Sequence, residues 1–316
     1  MKRNSKYGLI IIAAGLLAIP FMVREQFVLN ILILAHIYAI YVLGWELLAG
    51  ISGQISVGHA LSFGSAAYVS AFLSLAGLLP LVIFPLAVIC TALIGLLVGI
   101  ICCRQTGVYL IPVTLALAEI AHELSLNLGI KTSQGYMLGG EGGVPVATLF
   151  EKGGTGFYLY HYYVTLILLF ICIFALIYLS RSAIGLKLRA MGCDPLAAQS
   201  IGLSPYRYRT VAFCLSFIPG GLAGALYGQY MGMAAPSTLS LELSFTAMAM
   251  TVVGGKGTII GPAAAAYLLT TFFSWFWAPP AFRLLLYSLT LILAIRMANG
   301  GVDRFLFGLY RSAERG

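Results

Sequence analysis

Charge is what this sequence has least of. Of its 316 residues, 9% are Asp, Glu, Lys or Arg and 60% are hydrophobic, with a mean hydropathy of +0.97. A soluble domain carries roughly 25% charged residues. A water-facing surface cannot be built from this composition, which excludes a soluble enzyme or a soluble binding module. The bilayer is therefore the solvent for most of the chain. In lipid, every backbone N–H and C=O has to be satisfied within the protein, which leaves helices or closed barrels. The apolar runs are about 20 residues long rather than short and alternating, and that length selects helices.

Other absences narrow the function. There is no GxxxxGK[ST] loop. The nearest string, GGKGT at 254–258, has the wrong glycine spacing and no preceding strand, so the chain is not expected to hydrolyse nucleotides. The six cysteines (Cys90, Cys102, Cys103, Cys172, Cys193 and Cys214) show no metal-ligand spacing and no disulfide framework. Neither a metal nor a cofactor is expected. No nucleophile–base pairing stands out, so an intramembrane enzyme is not favoured. The formal net charge of +8 sits in short connections between apolar runs, which speaks for topology rather than nucleic-acid binding.

What is there is a series of roughly ten apolar segments, read as an all-α polytopic transmembrane bundle forming a single domain over 1–316. The runs are Tyr7–Val23, Phe27–Ala49, the stretch after GISGQISVGH to Ala76, Leu79–Cys103, Gly107–Asn127, His161–Ser180, Thr210–Met233, Glu242–Val253, Thr258–Trp277 and Phe282–Met297. The first reads as a retained signal-anchor, because no convincing small-residue cleavage site follows it. The eighth is too short to cross a hydrocarbon core that needs about 20 residues. With the N-terminus placed inside, only Arg24, Lys131, Lys152 and Arg283 of the 18 Lys and Arg fall outside, and Lys256 is undecided. This positive-inside bias puts both termini and the 181–209 loop in the cytosol, and the 128–160 loop in the periplasm. Trp275 and Trp277 then sit at the outer interface.

Three sets of residues are candidates for function. Two runs are broken by glycine clusters: Gly50, Gly53 and Gly58 with Gln54, Ser56 and His59, and Gly254, Gly255, Gly257 and Gly261 closed by Pro262. Glycine-interrupted segments in both halves point to a translocation pathway, and close packing through small residues explains them as well. Gly221, Gly224 and Gly228 fit the packing explanation best. The second set comprises intramembrane ionisable residues: Glu46, Glu119, His122 and Glu123. Glu119 and Glu123 share a helical face, which fits a proton relay or a metal site; Glu119 is also a translocation-pathway candidate, though an interhelical hydrogen bond is the simpler account of it. The third is the 181–209 loop. Asp194 caps a helix that begins at Pro195 and stops at Gly202, with Leu196, Ala197 and Ile201 on one side. Such a small-residue face admits another protein closely. A loop lying on the lipid surface is the alternative.

The stretch GISGQISVGHALSFGSAAYVSAF resembles the opening motif of the permease subunits of branched-chain amino acid ABC importers, with Gly53, Gln54, Ser56, Gly58, His59, Phe63, Gly64, Ala67 and Tyr68 in register. LALAEI with Glu119, RAMGCDPLAAQSIGLSPYRYRTVAF, GLAGALYG and VVGGKGTIIGP continue the likeness from about Leu43 to about Ala266. The order of segments looks more like the family's M-type subunit than its H-type partner. Glu46 stands where the family often carries Asn. The resemblance implies an inner-membrane permease that is not itself an enzyme. Its implied partners are a second homologous permease, two ATP-binding cassette subunits and an extracytoplasmic solute-binding protein, with leucine, isoleucine or valine as cargo. It also implies that Arg189, Ala190, Leu196, Ala197, Ala198, Ile201 and Gly202 form the ATPase-coupling loop. Permeases for urea, amides or other small amino acids are similar. A proton-coupled secondary transporter working through Glu46 and Glu119 is the remaining alternative.

Overall fold

The computed structural model describes residues 16–17, 19–20, 25–105, 107–127, 129–131, 137–148 and 155–275, and a few near the C-terminus at 285–286, 288–289 and 292. The first and tenth expected runs, and Trp277, lie largely or wholly outside them.

The central post is α1, Gln26–Trp45, continued without interruption by a π-helical turn at Glu46–Ile51. It is apolar on every side, and a helix of that kind belongs in an interior. Ile33, Ile37, Ile40, Val42 and Leu43 are fully buried. Around it stand α2 (Ala60–Leu75), α3 (Pro80–Cys102), α4 (Leu110–Leu126), α5 (Thr155–Arg181), α8 (Pro205–Met231), α9 (Leu241–Gly254) and α10 (Ile260–Trp275). Between α5 and α8 lie the shorter α6 (Ala183–Cys193) and α7 (Pro195–Ser200).

Peripheral helices show which solvent the fold was built for. Along α3, Ile83, Ala87, Thr91, Gly95, Val98 and Cys102 are buried, a repeat of three to four residues that marks one helical face. Its other faces carry exposed Leu81, Ile89, Leu93, Leu97, Ile100 and Ile101. In water that surface would aggregate; against lipid tails it is neutral. Helices in such a medium associate by close packing rather than by hydrophobic exclusion. The packing of α8 against α2 has this character. A Cβ on Gly224 would run into the Phe63 carbonyl oxygen, and one on Gly220 into Ser62 Oγ. Gly221 likewise faces Thr91 of α3. The small-residue explanation therefore holds for Gly221 and Gly224, whereas at Gly228 a Cβ would meet only ordinary contacts at 3.6 Å.

Five helices are long and apolar enough to cross a membrane: Gln26–Ile51, Pro80–Cys102, Gly107–Leu126, Gly156–Arg181 and Pro205–Met231. Three apolar helices are shorter, at Ala60–Leu75, Leu241–Gly254 and Ile260–Ser274. The all-α polytopic class is thus observed, and the expected count of ten crossings is not reached among the described residues. A 16-residue helix such as α2 is about 24 Å long at 1.5 Å per residue, short of a core of roughly 30 Å. The 128–160 loop is also more ordered than expected. Gly129–Lys131 pairs antiparallel with Met137–Gly139, and Val144–Pro145 pairs with Met233–Ala234, just beyond α8. α5 then begins at Thr155, six residues ahead of the apolar run that announces it.

Candidate functional site

The two glycine-broken segments meet at one end of the bundle, the end that carries α6 and α7. The first break follows the π-turn. Ser52 N donates to Leu47 O (3.2 Å) and Gln54 N to Leu48 O (3.0 Å), which closes the turn. Gly53 then takes φ +71°, a left-handed conformation strained for any residue with a side chain. The same glycine lies directly against Gly192 of α6: a Cβ there would come within 2.8 Å of the Gly192 Cα.

Beyond Gly53 the chain stays irregular as far as α2 yet runs through the interior. Ser56 is 2% exposed and His59 is fully buried. Irregular backbone at such depth has to be satisfied by protein, and here side chains from three helices do so. Trp45 Nε1 donates to Ser56 O (2.9 Å), Val57 N donates to Thr114 Oγ1 of α4 (3.2 Å), and Ala60 N donates to Ser244 Oγ of α9 (2.8 Å). Gly58 sits against the Thr114 carbonyl with no room for a side chain. The His59 ring stacks on Tyr41 (5.3 Å between centroids) and meets Phe217 edge-on (5.9 Å). Both of its ring nitrogens are buried without a hydrogen-bond partner.

The second break joins α9 to α10. Gly255 (φ +98°) and Gly257 (φ +93°) make the reversal. Thr258 closes it by donating to Gly255 O through both N (3.3 Å) and Oγ1 (2.9 Å). Gly261 packs on the Gly254 carbonyl so closely that neither position admits a Cβ.

Glu46 joins the two breaks. Its side chain lies back over Gly50, where any Cβ would overlap the carboxylate. Its Oε1 accepts the Gly257 N–H at 2.8 Å. Glu46 is fully buried, and Oε2 has no partner. Glu46 therefore touches Gly50 at the first break and Gly257 at the second, while Gly53 rests on Gly192, Gly261 on Gly254, and Ser56, Gly58 and His59 lie buried further along the chain. Glu46 was not among the pathway candidates. Its partner lies 211 residues away, and no local pattern announces that. Glu119 does not join this group. It is half-buried on α4, a helix that buries little beyond Leu110, Thr114, Ala118 and Ser125. On that helix the polar contacts to neighbouring elements include Thr114, which accepts from Val57 N, and His122, whose Nδ1 lies 3.1 Å from Pro236 O.

The loop after α5 carries two helices where one was expected. Ser182 starts α6 by accepting the Gly185 N–H (3.3 Å), and Arg189 and Ala190 lie within it. Asp194 caps α7 as the sequence suggests, with Oδ1 accepting from Leu196 N (2.9 Å) and Ala197 N (3.1 Å). Gly202 (φ +86°) ends it: Gly202 N donates to Gln199 O and Leu203 N to Ala198 O. That pair of bonds is the Schellman closure. Leu196 and Ile201 are exposed at 77% and 73%, and Ala197 is exposed beside them. Ala198 is turned inward and buried, so it anchors the helix rather than presenting a surface.

Comparison with known proteins places this architecture. Residues 27–295 match the family described as branched-chain amino acid transport system / permease component. The permease protein LivM of the high-affinity branched-chain amino acid transport system of Escherichia coli (strain K12) is 31% identical over 292 residues, covering 84% of this chain and 67% of that protein. LivM of Salmonella typhimurium is 31% identical over 276 residues, covering 79% of this chain and 63% of its own length. A shorter stretch of 105 residues, a third of the chain, is 33% identical to the nucleoside ABC transporter permease protein NupC of Lactococcus lactis subsp. cremoris. No solved structure matches the chain at a significant level. Apolar helices around a glycine-hinged interior define a multi-pass membrane permease. The chain belongs to the permease family of branched-chain amino acid ABC transport systems.

Proposed function

We propose that the chain is the M-type permease of an ATP-driven importer of leucine, isoleucine and valine. With a second homologous permease it forms the translocation pathway, served by an extracytoplasmic solute-binding protein and driven by two ATP-binding cassette subunits. The end carrying α6 and α7 faces the cytosol, since basic residues gather in the 181–209 loop. The observation that carries this reading is the Gly53–Gly192 contact. It sets the loop that offers Leu196 and Ile201 to a partner directly against a hinge in the central helix. ATPase closure would then move α6, α6 would move the hinge, and the hinge is tied through Glu46 to the turn between α9 and α10. A small displacement at the loop thereby becomes a rearrangement of both glycine breaks, the interior end of which is lined by Ser56 and His59.

The test is reconstitution of this chain with its partner permease, the ATPases and the binding protein in liposomes. ATP-dependent accumulation of leucine is expected, with none when the ATPases are omitted. Leucine uptake driven by a pH gradient in this chain alone would sink the reading and support the proton-coupled alternative. Uptake of a nucleoside, urea or an amide in place of leucine would keep the importer and replace the cargo.

A further inference from the structure

Between α6, the Ser52–Ile55 hinge and the turn preceding α4 lies a cavity of about 310 Å³, at the small end of the roughly 300–1,000 Å³ found for small-molecule sites. Its wall is amphipathic. Gln54, Gln105 and Arg209 bring polar groups, and Val108, Ile111 and Met191 bring apolar surface. Two of the polar groups have unused capacity. Ser52 Oγ donates its one proton to Leu48 O (2.6 Å), so towards Gln54 Nε2 at 3.0 Å it acts only as acceptor. That fixes the Gln54 amide with its nitrogen on Ser52. Oε1, on a side chain only 8% exposed, is left without a donor. Arg209 Nη1 donates to Cys103 O and Gln105 O at 3.3 Å each, and its other guanidinium nitrogens have no partner among the described residues. The cavity thus offers one permanent cation and an apolar wall, with an acceptor in need of a donor held behind that wall at Gln54.

We propose that this cavity is a cytosolic site for a free aliphatic α-amino acid. The ligand's carboxylate pairs with the Arg209 guanidinium, its ammonium donates to Gln54 Oε1, and its side chain lies against Val108, Ile111 and Met191. A bare anion satisfies Arg209 and leaves Gln54 unpaired, and an apolar ligand satisfies neither. The proposal rests on the reading of the chain as an amino acid permease with α6 and α7 in the cytosol. It adds a regulatory consequence. Gln54 belongs to the hinge and Met191 to α6, so a ligand spanning them ties the driving helix to the element it drives. Accumulated product then slows the cycle. Gln54 Oε1 is closed off from solvent, so binding has to shift the wall, and that cost keeps the affinity low.

The test uses the complete permease–ATPase complex in nanodiscs without the binding protein, with radiolabelled leucine as the probe. Saturable binding is expected. It should weaken about tenfold or more, the equivalent of losing one good contact, when Val108→Trp fills the exposed mouth of the cavity. Leucine methyl ester, which lacks the carboxylate, and 4-methylpentanoate, which lacks the ammonium, should each compete about tenfold less well than leucine. Leucine should also slow ATP hydrolysis by the parent complex and not by the Val108→Trp complex, with assembly of both checked by gel filtration. If the same importer, given its binding protein, takes up leucine but the complex shows no saturable binding, the site is overturned and the cargo reading stands. Binding that Val108→Trp leaves intact, or that inorganic phosphate displaces as well as leucine does, also overturns the site. Failure of the importer to take up any branched-chain amino acid removes the cargo reading, and this proposal with it.

Discussion

The two glycine-interrupted segments converge on Glu46, yet they are built differently. The first, from Ser52 to His59, is a long irregular passage through the interior. Its backbone leans on borrowed side chains: Trp45 from α1, Thr114 from α4 and Ser244 from α9. The second, between α9 and α10, is a tight turn closed by its own Thr258 and by Gly254 against Gly261. The first depends on several elements holding their places, and its orphan polar atoms at Gln54 and His59 show that the present arrangement leaves needs unmet. The second is closed chiefly by its own residues, with Glu46 Oε1 accepting the Gly257 N–H from outside it. A segment whose partners are distributed can be rearranged by moving any of them, whereas a self-closed turn moves as a unit. In the mechanism proposed above, the first break would then be the hinge and the second the rigid arm, with Glu46 as the joint between them.

The comparison can be broken most severely from outside it, at the packing of α8 on α2, the helix into which the first break leads. Gly224→Val places a side chain into the Phe63 carbonyl, and close-packed interiors do not absorb such an overlap. No monodisperse protein is expected by gel filtration after detergent extraction. Breaking the joint should cost less. Glu46→Ala removes the acceptor for the Gly257 N–H; Gly257 is exposed, so the loss is that of one ordinary hydrogen bond, about 0.5–1.5 kcal/mol. A lowered thermal midpoint is expected, and Glu46→Gln, which retains an acceptor, should lose less of it.

Gly53→Ala acts on the hinge itself. A side chain at φ +71° costs about 1–2 kcal/mol and presses on Gly192. The variant should assemble with the ATPases and hydrolyse ATP while its leucine uptake falls roughly tenfold. Asp194→Ala removes the α7 cap, worth about 1 kcal/mol. It should loosen Leu196 and Ile201 and weaken co-purification of the ATPases only modestly. Glu119→Gln should have the smallest effect, because Glu119 belongs to neither break. Unchanged leucine uptake is expected, and a loss of uptake would return attention to proton coupling.

The sequence made local features readable and left distant ones hidden. Asp194, Pro195 and Gly202 each act within a few residues of themselves, and the helix they delimit is found where they put it. The glycine clusters announce breaks because glycine is what a left-handed backbone needs. The apolar runs give the helices, though not their ends: α5 and α8 start ahead of the hydrophobic signal, at Thr155 and Pro205. What was illegible depends on partners far along the chain. The π-turn at Glu46–Ile51 has no composition of its own and is held by the closing bonds of Ser52 and Gln54. The Glu46–Gly257 bond, the seating of Gly53 on Gly192 and the inward turn of Ala198 are tertiary facts. Of the named pathway glycines, Gly53, Gly255 and Gly257 take left-handed backbone, and Gly58 and Gly261 sit against carbonyls too closely for a side chain.

The central claim is that α6 drives the hinge through their mutual contact. Its most direct test is a reversible tether across it. A side chain at Gly192 would come within 2.9 Å of the Ser52 carbonyl carbon, too close for a cysteine there, so the tether is placed beside the contact, as Gln54→Cys and Met191→Cys, which line one cavity across it, in a background with the six native cysteines replaced. In the reconstituted importer, oxidation is expected to abolish ATP-dependent leucine uptake and dithiothreitol to restore it. Full uptake by a protein shown to be quantitatively crosslinked would mean that the contact never moves during transport, and would contradict the account.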